Sequence, residues 1–406
     1  MKVVIVGAGL SGLTAGLRLA QKGNQVTILE AGDQAGGLAA GFKNEGWQWS
    51  LENFYHHLFT TDTEAQQLIK ELGLEKKLFF KKPKSSIYFN KQITRFDSPL
   101  SLLRFPFLII EAKIRTALVT VYLKLTNDWQ GLEKIKASEW LPKYYGKQAY
   151  AVLWQPLLKS KFGEEAEKIS MAWFWARIKK RSMALGYLAG GFTVLTEKLL
   201  LEVKKLEGRV VYNTPVSDFK ELQLKYPGAV FLFTTPFSIT QKITGLKLAD
   251  LKMIGAVNLI LELSEQFFAD KTYWLNINEK DYPFVAVVEH TNFVDKKHYG
   301  GKHILYVGGY YPQNHRYFTM SKEEILKEWR PYLHNINFKF QILNFKLARA
   351  LYAQPIVGLN HHKFIPEITT KLPGVYVANM EMVYPWDRGT NYAIELGERA
   401  AKIIAS

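Results

Sequence analysis

Apolar and polar positions along the chain recur with two periods, and each change of period marks an element. Lys2–Val6 is a short apolar run that reads as a buried strand. Gly7, Gly9 and Gly12 follow at once, then a helical pattern over residues 13–21 and a second apolar run, Gln25–Leu29, that ends in Glu30. Residues 61–74 predict a helix with Asp62 as N-cap, Ala65, Leu68, Ile69 and Leu72 on one face, and Gly73 as its stop. Residues 86–96 alternate as a short hairpin turning near Asn90. Over residues 99–110 the only charge is Arg104, and Pro106 interrupts any single helix. Beyond it Ile114, Leu118, Val121 and Leu125 fall on one helical face, with Lys113, Arg115 and Lys124 elsewhere.

Residues 133–181 read as helical and aromatic-rich, including Trp173, Phe174 and Trp175. Thr193 is positioned to cap a helix to residue 206, and short strands are predicted over 209–212 and 229–234. From 255 to 312 the pattern is of β-strands (256–263, 273–277, 284–293 and 304–311), as in an antiparallel meander. Ser321 and Glu324 form a capping box opening a helix to residue 333. A strand over 338–347, another over 374–379 and a helix over 391–404 complete the chain.

Composition changes this picture little. With 406 residues, 48% hydrophobic and 22% charged, the chain suits two or three domains with a sizeable core. Absence of cysteine excludes disulfides, thiolate metal sites and cysteine nucleophiles. The apolar run after Lys2 is too short for a signal peptide, so a cytoplasmic location is expected. The net charge of +16 is spread along the chain with no nucleic-acid module, which points to an anionic membrane surface or anionic substrate instead of nucleic acid. Residues 99–125 fit either helical core over a substrate cavity or a basic amphipathic surface resting on the inner face of a membrane.

The candidate chemistry begins in the first thirty residues. Strand, Gly7-Ala8-Gly9-Leu10-Ser11-Gly12, helix, strand, Glu30 is a dinucleotide-binding fingerprint in its required context. Gly7 makes the tight turn, Gly9 lets backbone approach a pyrophosphate, and Gly12 lets the helix pack on the sheet. Glu30 stands where a carboxylate accepts hydrogen bonds from ribose. Two adjacent histidines, His56 and His57, follow among aromatics, with no third ligand at metal-binding spacing. In the third strand of the meander, Glu289, His290, Thr291 and Asn292 put His290 and Asn292 on one face. Either the strand emerges at a sheet edge there or that face lines a cavity, with His290 as candidate substrate contact.

Gly36 and Gly37, soon after Glu30, extend the fingerprint. With them the chain resembles the FAD-binding flavoenzymes of the amine oxidase, protoporphyrinogen oxidase and phytoene desaturase superfamily. That resemblance implies an α/β fold: a discontinuous, Rossmann-like FAD-binding domain of the glutathione-reductase type, an antiparallel substrate domain and a helical insertion. The implied map is FAD domain at 1–60, 186–245 and 351–406, helical region at 61–185, and substrate sheet at 246–350. It implies that Ser11, Ala31, Gly36, Gly37 and Leu38 border the cofactor and that Val216 packs on the adenine. It implies further that Arg388, Gly389, Thr390 and Asn391 form a loop and helix start beneath the flavin, Arg388 pairing with pyrophosphate or reduced ring. His57 matches the histidine-bearing segment of UDP-galactopyranose mutases; with His290, singled out by the strand pattern above, it is a catalytic candidate. The implied activity is hydride removal from a C–N or C–C bond of an apolar or amine substrate. A non-redox flavin isomerase and a flavin-holding protein without turnover are the alternatives.

Overall fold

Short apolar runs buried on both faces are what the centre of a parallel sheet covered by helices requires, and such runs form the middle of one five-stranded sheet, with Arg209–Val211 as an exposed edge. A computed structural model describes residues 1–406. In sheet order the strands are Arg209–Val211, Gln25–Leu29, Lys2–Val6, Val230–Phe233 and Val375–Val377, every pair parallel. They come from three separated stretches of chain. Helix Leu10–Gln21 joins Lys2–Val6 to Gln25–Leu29, and the last helix, Thr390–Ile404, lies against it. The approach is close because Gly397 has no side chain: a Cβ there would stand 2.4 Å from the Ser11 carbonyl oxygen.

A second sheet has seven strands in the order Ile342–Pro355, Met253–Leu263, His303–Pro312, Ala286–Glu289, Thr272–Ile277, Lys84–Phe89 and Gln92–Arg95. All pairs are antiparallel except Thr272–Ile277 with Lys84–Phe89. Helix Lys322–Ile336, opened by the Ser321–Glu324 capping box, buries Ile325, Trp329 and Leu333 against Val257 and Leu259 of this sheet. A third core is helical, with Phe162, Trp173, Phe174 and Trp175 packed inside it, so the aromatic stripe is a helix–helix interface.

The α/β architecture is the one expected, with differences at its seams. The hairpin 84–95, inside the stretch assigned to helices, adds two strands to the substrate sheet. Strand Ile342–Pro355 runs past residue 350, where a domain boundary was expected. The strand expected over 284–293 ends at Glu289, and His290–Asn292 forms a single tight turn. Thr193 begins its helix without capping it, following Phe192 at the N-cap position.

Residues 99–125 fold as helices Pro99–Arg104 and Ile110–Leu125 about the break at Pro106. Phe105, Leu108, Ala112 and Leu123 enter the helical core. Ile110, Ile114, Leu118, Val121 and Leu125 do not; they are exposed by 53–73%. No helix is long and apolar enough to cross a membrane.

Candidate functional site

The glycine turn carries the evidence for a dinucleotide-binding site. Gly7 has φ +107°, and a Cβ on Gly12 would stand 2.1 Å from the Gly7 carbonyl oxygen, so both positions are closed to side chains. Thr234 Oγ1 donates to the carbonyls of Val6 and Gly7 at 3.0 and 3.1 Å and fixes the turn from the neighbouring strand. Gly9 is different: a Cβ there would meet nothing within 4 Å. It fronts open space at the start of helix Leu10–Gln21, where unpaired backbone N–H groups attract an anion. Ser11 Oγ donates to the Ala378 carbonyl and ties this helix to the last strand.

Glu30 accepts from the backbone N–H of Ala8 and Gly32 at 2.8 and 2.9 Å, holding its carboxylate beside the glycine turn with exposed Ala31 next to it. Thr214 donates its N–H to the Glu30 carbonyl, which brings the loop bearing half-buried Val216 to the same end of the sheet. Gly36 and Gly37, at φ +114° and +58°, fold a turn back onto the first: the Gly36 N–H bonds the Ala8 carbonyl, and a Cβ on Gly37 would lie 3.3 Å from Gly9 Cα. Both glycine segments thus share one cradle.

From Leu38 the cradle leads into a cavity of about 220 Å³ where all three parts of the fold meet. Its nucleotide-domain wall holds Tyr55, His56, His57 and the loop from Asp387 to Asn391. Helix residues Lys161 and Arg177, with Arg181 just past the helix end, form a second wall, and Asn258, Trp274 and Tyr310 of the sheet a third. The last helix begins at Thr390 with its N-terminus on this cavity, and a Cβ at Gly389 would again meet nothing within 4 Å. The Asn391 side chain accepts from the Ala65 N–H and donates to Glu64, which locks that helix start to its neighbour.

His57 lies in the cavity wall, edge-on to Phe59 and Trp274. Its Nδ1 is buried without a hydrogen-bond partner, unlike His56 Nδ1, which is 2.6 Å from the Phe54 carbonyl. Burial, then the positive charges of Arg181, His56 and Arg177, pushes the His57 imidazole down to about 3, so it is neutral at neutral pH. His290 is elsewhere. It is buried among Tyr187, Tyr299 and Tyr306, with Nε2 2.8 Å from the Tyr299 hydroxyl, and does not line the cavity. The early end of its strand turns the ring into the core, which corrects the expectation of a substrate contact.

Arg388 also lines the cavity. Its guanidinium donates to Gln354 at 3.1 Å and to the Tyr310 hydroxyl at 2.7 Å, both on the substrate sheet. Its side chain therefore bridges the cavity to the seven-stranded sheet.

Several cavity residues escaped the sequence reading. Asp387 stands 3.6 Å from Lys161 and 3.4 Å from Arg177. Burial works against its ionisation, but Lys161, Arg177 and Arg388 outweigh it and hold the carboxylate below its ordinary range. The available signal was the spacing of Arg177 and Arg181, four apart at the end of one helical pattern.

A family model described as flavin containing amine oxidoreductase matches residues 10–405. The chain belongs to that family. Its cofactor is FAD, and the residues present fit it: two open glycines, an anion-binding helix start, a carboxylate at the ribose end and an orphaned imidazole nitrogen in the cavity wall. An L-amino-acid oxidase from Sistrurus catenatus edwardsii is 40% identical over 94 residues, which is 23% of this chain and 18% of that oxidase. The match thus spans less than a fifth of the relative's length. Among solved structures, a reduced UDP-galactopyranose mutase superposes with TM-score 0.75 at 14% identity, covering 99% of this chain and 95% of the mutase. Cyclohexylamine oxidase from Brevibacterium oxydans gives 0.71 at 14%, covering 100% and 98%. At such identities these two likenesses concern the fold.

Proposed function

We propose that this flavoprotein is an FAD-dependent oxidoreductase that removes hydride from a C–N or C–C bond of a small molecule seated in the cavity. The observation carrying this reading is the convergence there of the glycine cradle, the last helix's N-terminus and the His57 wall. When bound, FAD supplies the hydride acceptor. The chain's part is placement and electrostatics. Backbone N–H groups at Thr390 and Asn391 present partial positive charge to the cavity, favouring negative charge that develops beside them. Tyr55, Trp274 and Leu38 wall the site from water, and neutral His57 offers a hydrogen bond without a charge.

The test is an absorbance spectrum of the purified protein followed by anaerobic titration with amines, amino acids, polyprenoids and porphyrinogens. Bleaching of the flavin by one class is expected. A yellow protein that none of them reduces, but that converts a UDP-sugar without net redox change, overturns the reading in favour of an isomerase.

We propose also that residues 99–125 rest on an anionic membrane surface. Support comes from the exposed stripe Ile110, Ile114, Leu118, Val121 and Leu125, continued by exposed Leu100 and Leu103. The segment carries four basic residues, Arg104, Lys113, Arg115 and Lys124, against one acid, Glu111. That combination of apolar stripe and cationic flank suits an acidic lipid headgroup layer.

A further inference from the structure

We infer that the substrate carries an anionic group, a carboxylate or phosphate, and that Arg177 and Arg181 hold it in the cavity; this rests on the catalytic reading above. The first observation is charge. Lys161, Arg177, Lys180, Arg181 and Arg388 line the cavity, against two carboxylates, Asp62 and Asp387. Both acids are already engaged. Asp387 faces Lys161 and Arg177, while Asp62 accepts the Phe59 N–H at 2.8 Å.

The second observation is the distribution of partners. Lys161 is enclosed by Phe162, Trp173 and Tyr310, Arg177 stacks 5.1 Å from the Trp173 ring centroid, and Arg388 bonds Tyr310 and Gln354. Arg181 has no side-chain hydrogen bond or carboxylate partner. Its five N–H donors are therefore available to the cavity it lines.

The third is that this guanidinium is held there at a cost. Arg181 directly follows helix Met171–Lys180, in extended backbone, and its guanidinium lies close enough to Arg177 for the two positive charges to repel. The charge of Arg177 lowers the Arg181 guanidinium below its ordinary value, and Arg181 stays exposed at the cavity's edge. Lys124 from the neighbouring helix donates to the Arg181 carbonyl and pins its backbone in place. Two guanidiniums kept together against their repulsion form a fork for an oxyanion, whose negative charge turns that repulsion into attraction. A cationic amine lacking such a group would be repelled, whereas an amino acid or other acidic molecule would be oriented by it.

The test uses the holoprotein with benzoate, inorganic phosphate, neutral benzamide and cationic benzylamine, read by flavin difference spectra and thermal shift. Benzoate or phosphate should perturb the wild type, and Arg181→Gln and Arg177→Gln should weaken that binding tenfold or more. Benzamide should bind both forms alike, FAD affinity should stay unchanged in Arg181→Gln, and Arg181→Lys should restore part of the anion binding. A response to benzoate alone identifies a carboxylate, and one to phosphate alone a phosphate. Silence of both anions on the wild type, undiminished binding in Arg181→Gln, or a drop in FAD affinity in its place overturns the inference. Thermal shift reads the clamp even on colourless protein, so failure of the flavin reading and failure of the clamp remain separate results.

Discussion

Gly9 and Gly12 are three residues apart in one turn, yet they should fail in different ways. A methyl at Gly12 collides with the Gly7 carbonyl, so Gly12→Ala is expected to cost the apoprotein about 2–4 kcal/mol. A methyl at Gly9 meets only open space, and the backbone there, at φ −70°, accepts alanine. Gly9→Ala should therefore leave the apoprotein's thermal midpoint unchanged while calorimetry shows FAD binding weakened at least tenfold. His290 supports a second expectation. Burial lowers its imidazole from the usual 6.5 to about 3, so between those values the unfolded chain binds a proton that the folded one refuses. Stability from this residue is present above pH 6.5 and lost as pH falls toward 3. Relative to His290→Phe, the wild type should lose up to about 1.4 kcal/mol per pH unit across pH 6 to 4 in denaturant titrations; parallel curves would show the ring to be accessible to protons. The glycines were legible because spacing alone specifies what a turn needs. His290 was not, because its neighbour Glu289 spends both carboxylate oxygens on the N–H groups of Phe267 and Phe268 across the sheet, a contact no local pattern announces.

Elements show the same division between local and long-range signals. The capping box at Ser321 and the break at Pro106 are short-range chemistry and stand where the sequence put them. Which sheet receives the hairpin 84–95 depends on Thr272–Ile277, almost two hundred residues away, and no periodicity encodes that partner. Helix Ile110–Leu125 is the instructive case. Its spacing gave the apolar face correctly, but core and surface readings share that spacing, and only the packing of Phe105, Leu108 and Leu123 shows that a different face is the buried one. Ile114→Glu with Leu118→Glu should abolish flotation with anionic liposomes while leaving the flavin spectrum intact. Equal flotation of the double variant and the wild type, or none by either, removes the membrane proposal.

At the scale of the molecule, three cores supply one wall each to one cavity, and none of the three contains the site by itself. Part of the basic excess is local: five cations border the cavity against two carboxylates, and four lie in residues 99–125 against one acid. Charge totals point toward an acidic partner without saying where it would sit, because position in space is a property of the fold. The contact between Gly397 and Ser11 has a consequence for how the protein matures. The anion-binding turn at Gly7–Gly12 and helix Thr390–Ile404 are separated by most of the residues described, so both must be made before a complete grip exists. A nascent chain offers the cofactor a handle but no seat, and colour should arrive with the last closure, whose slow search across the whole chain sets its pace.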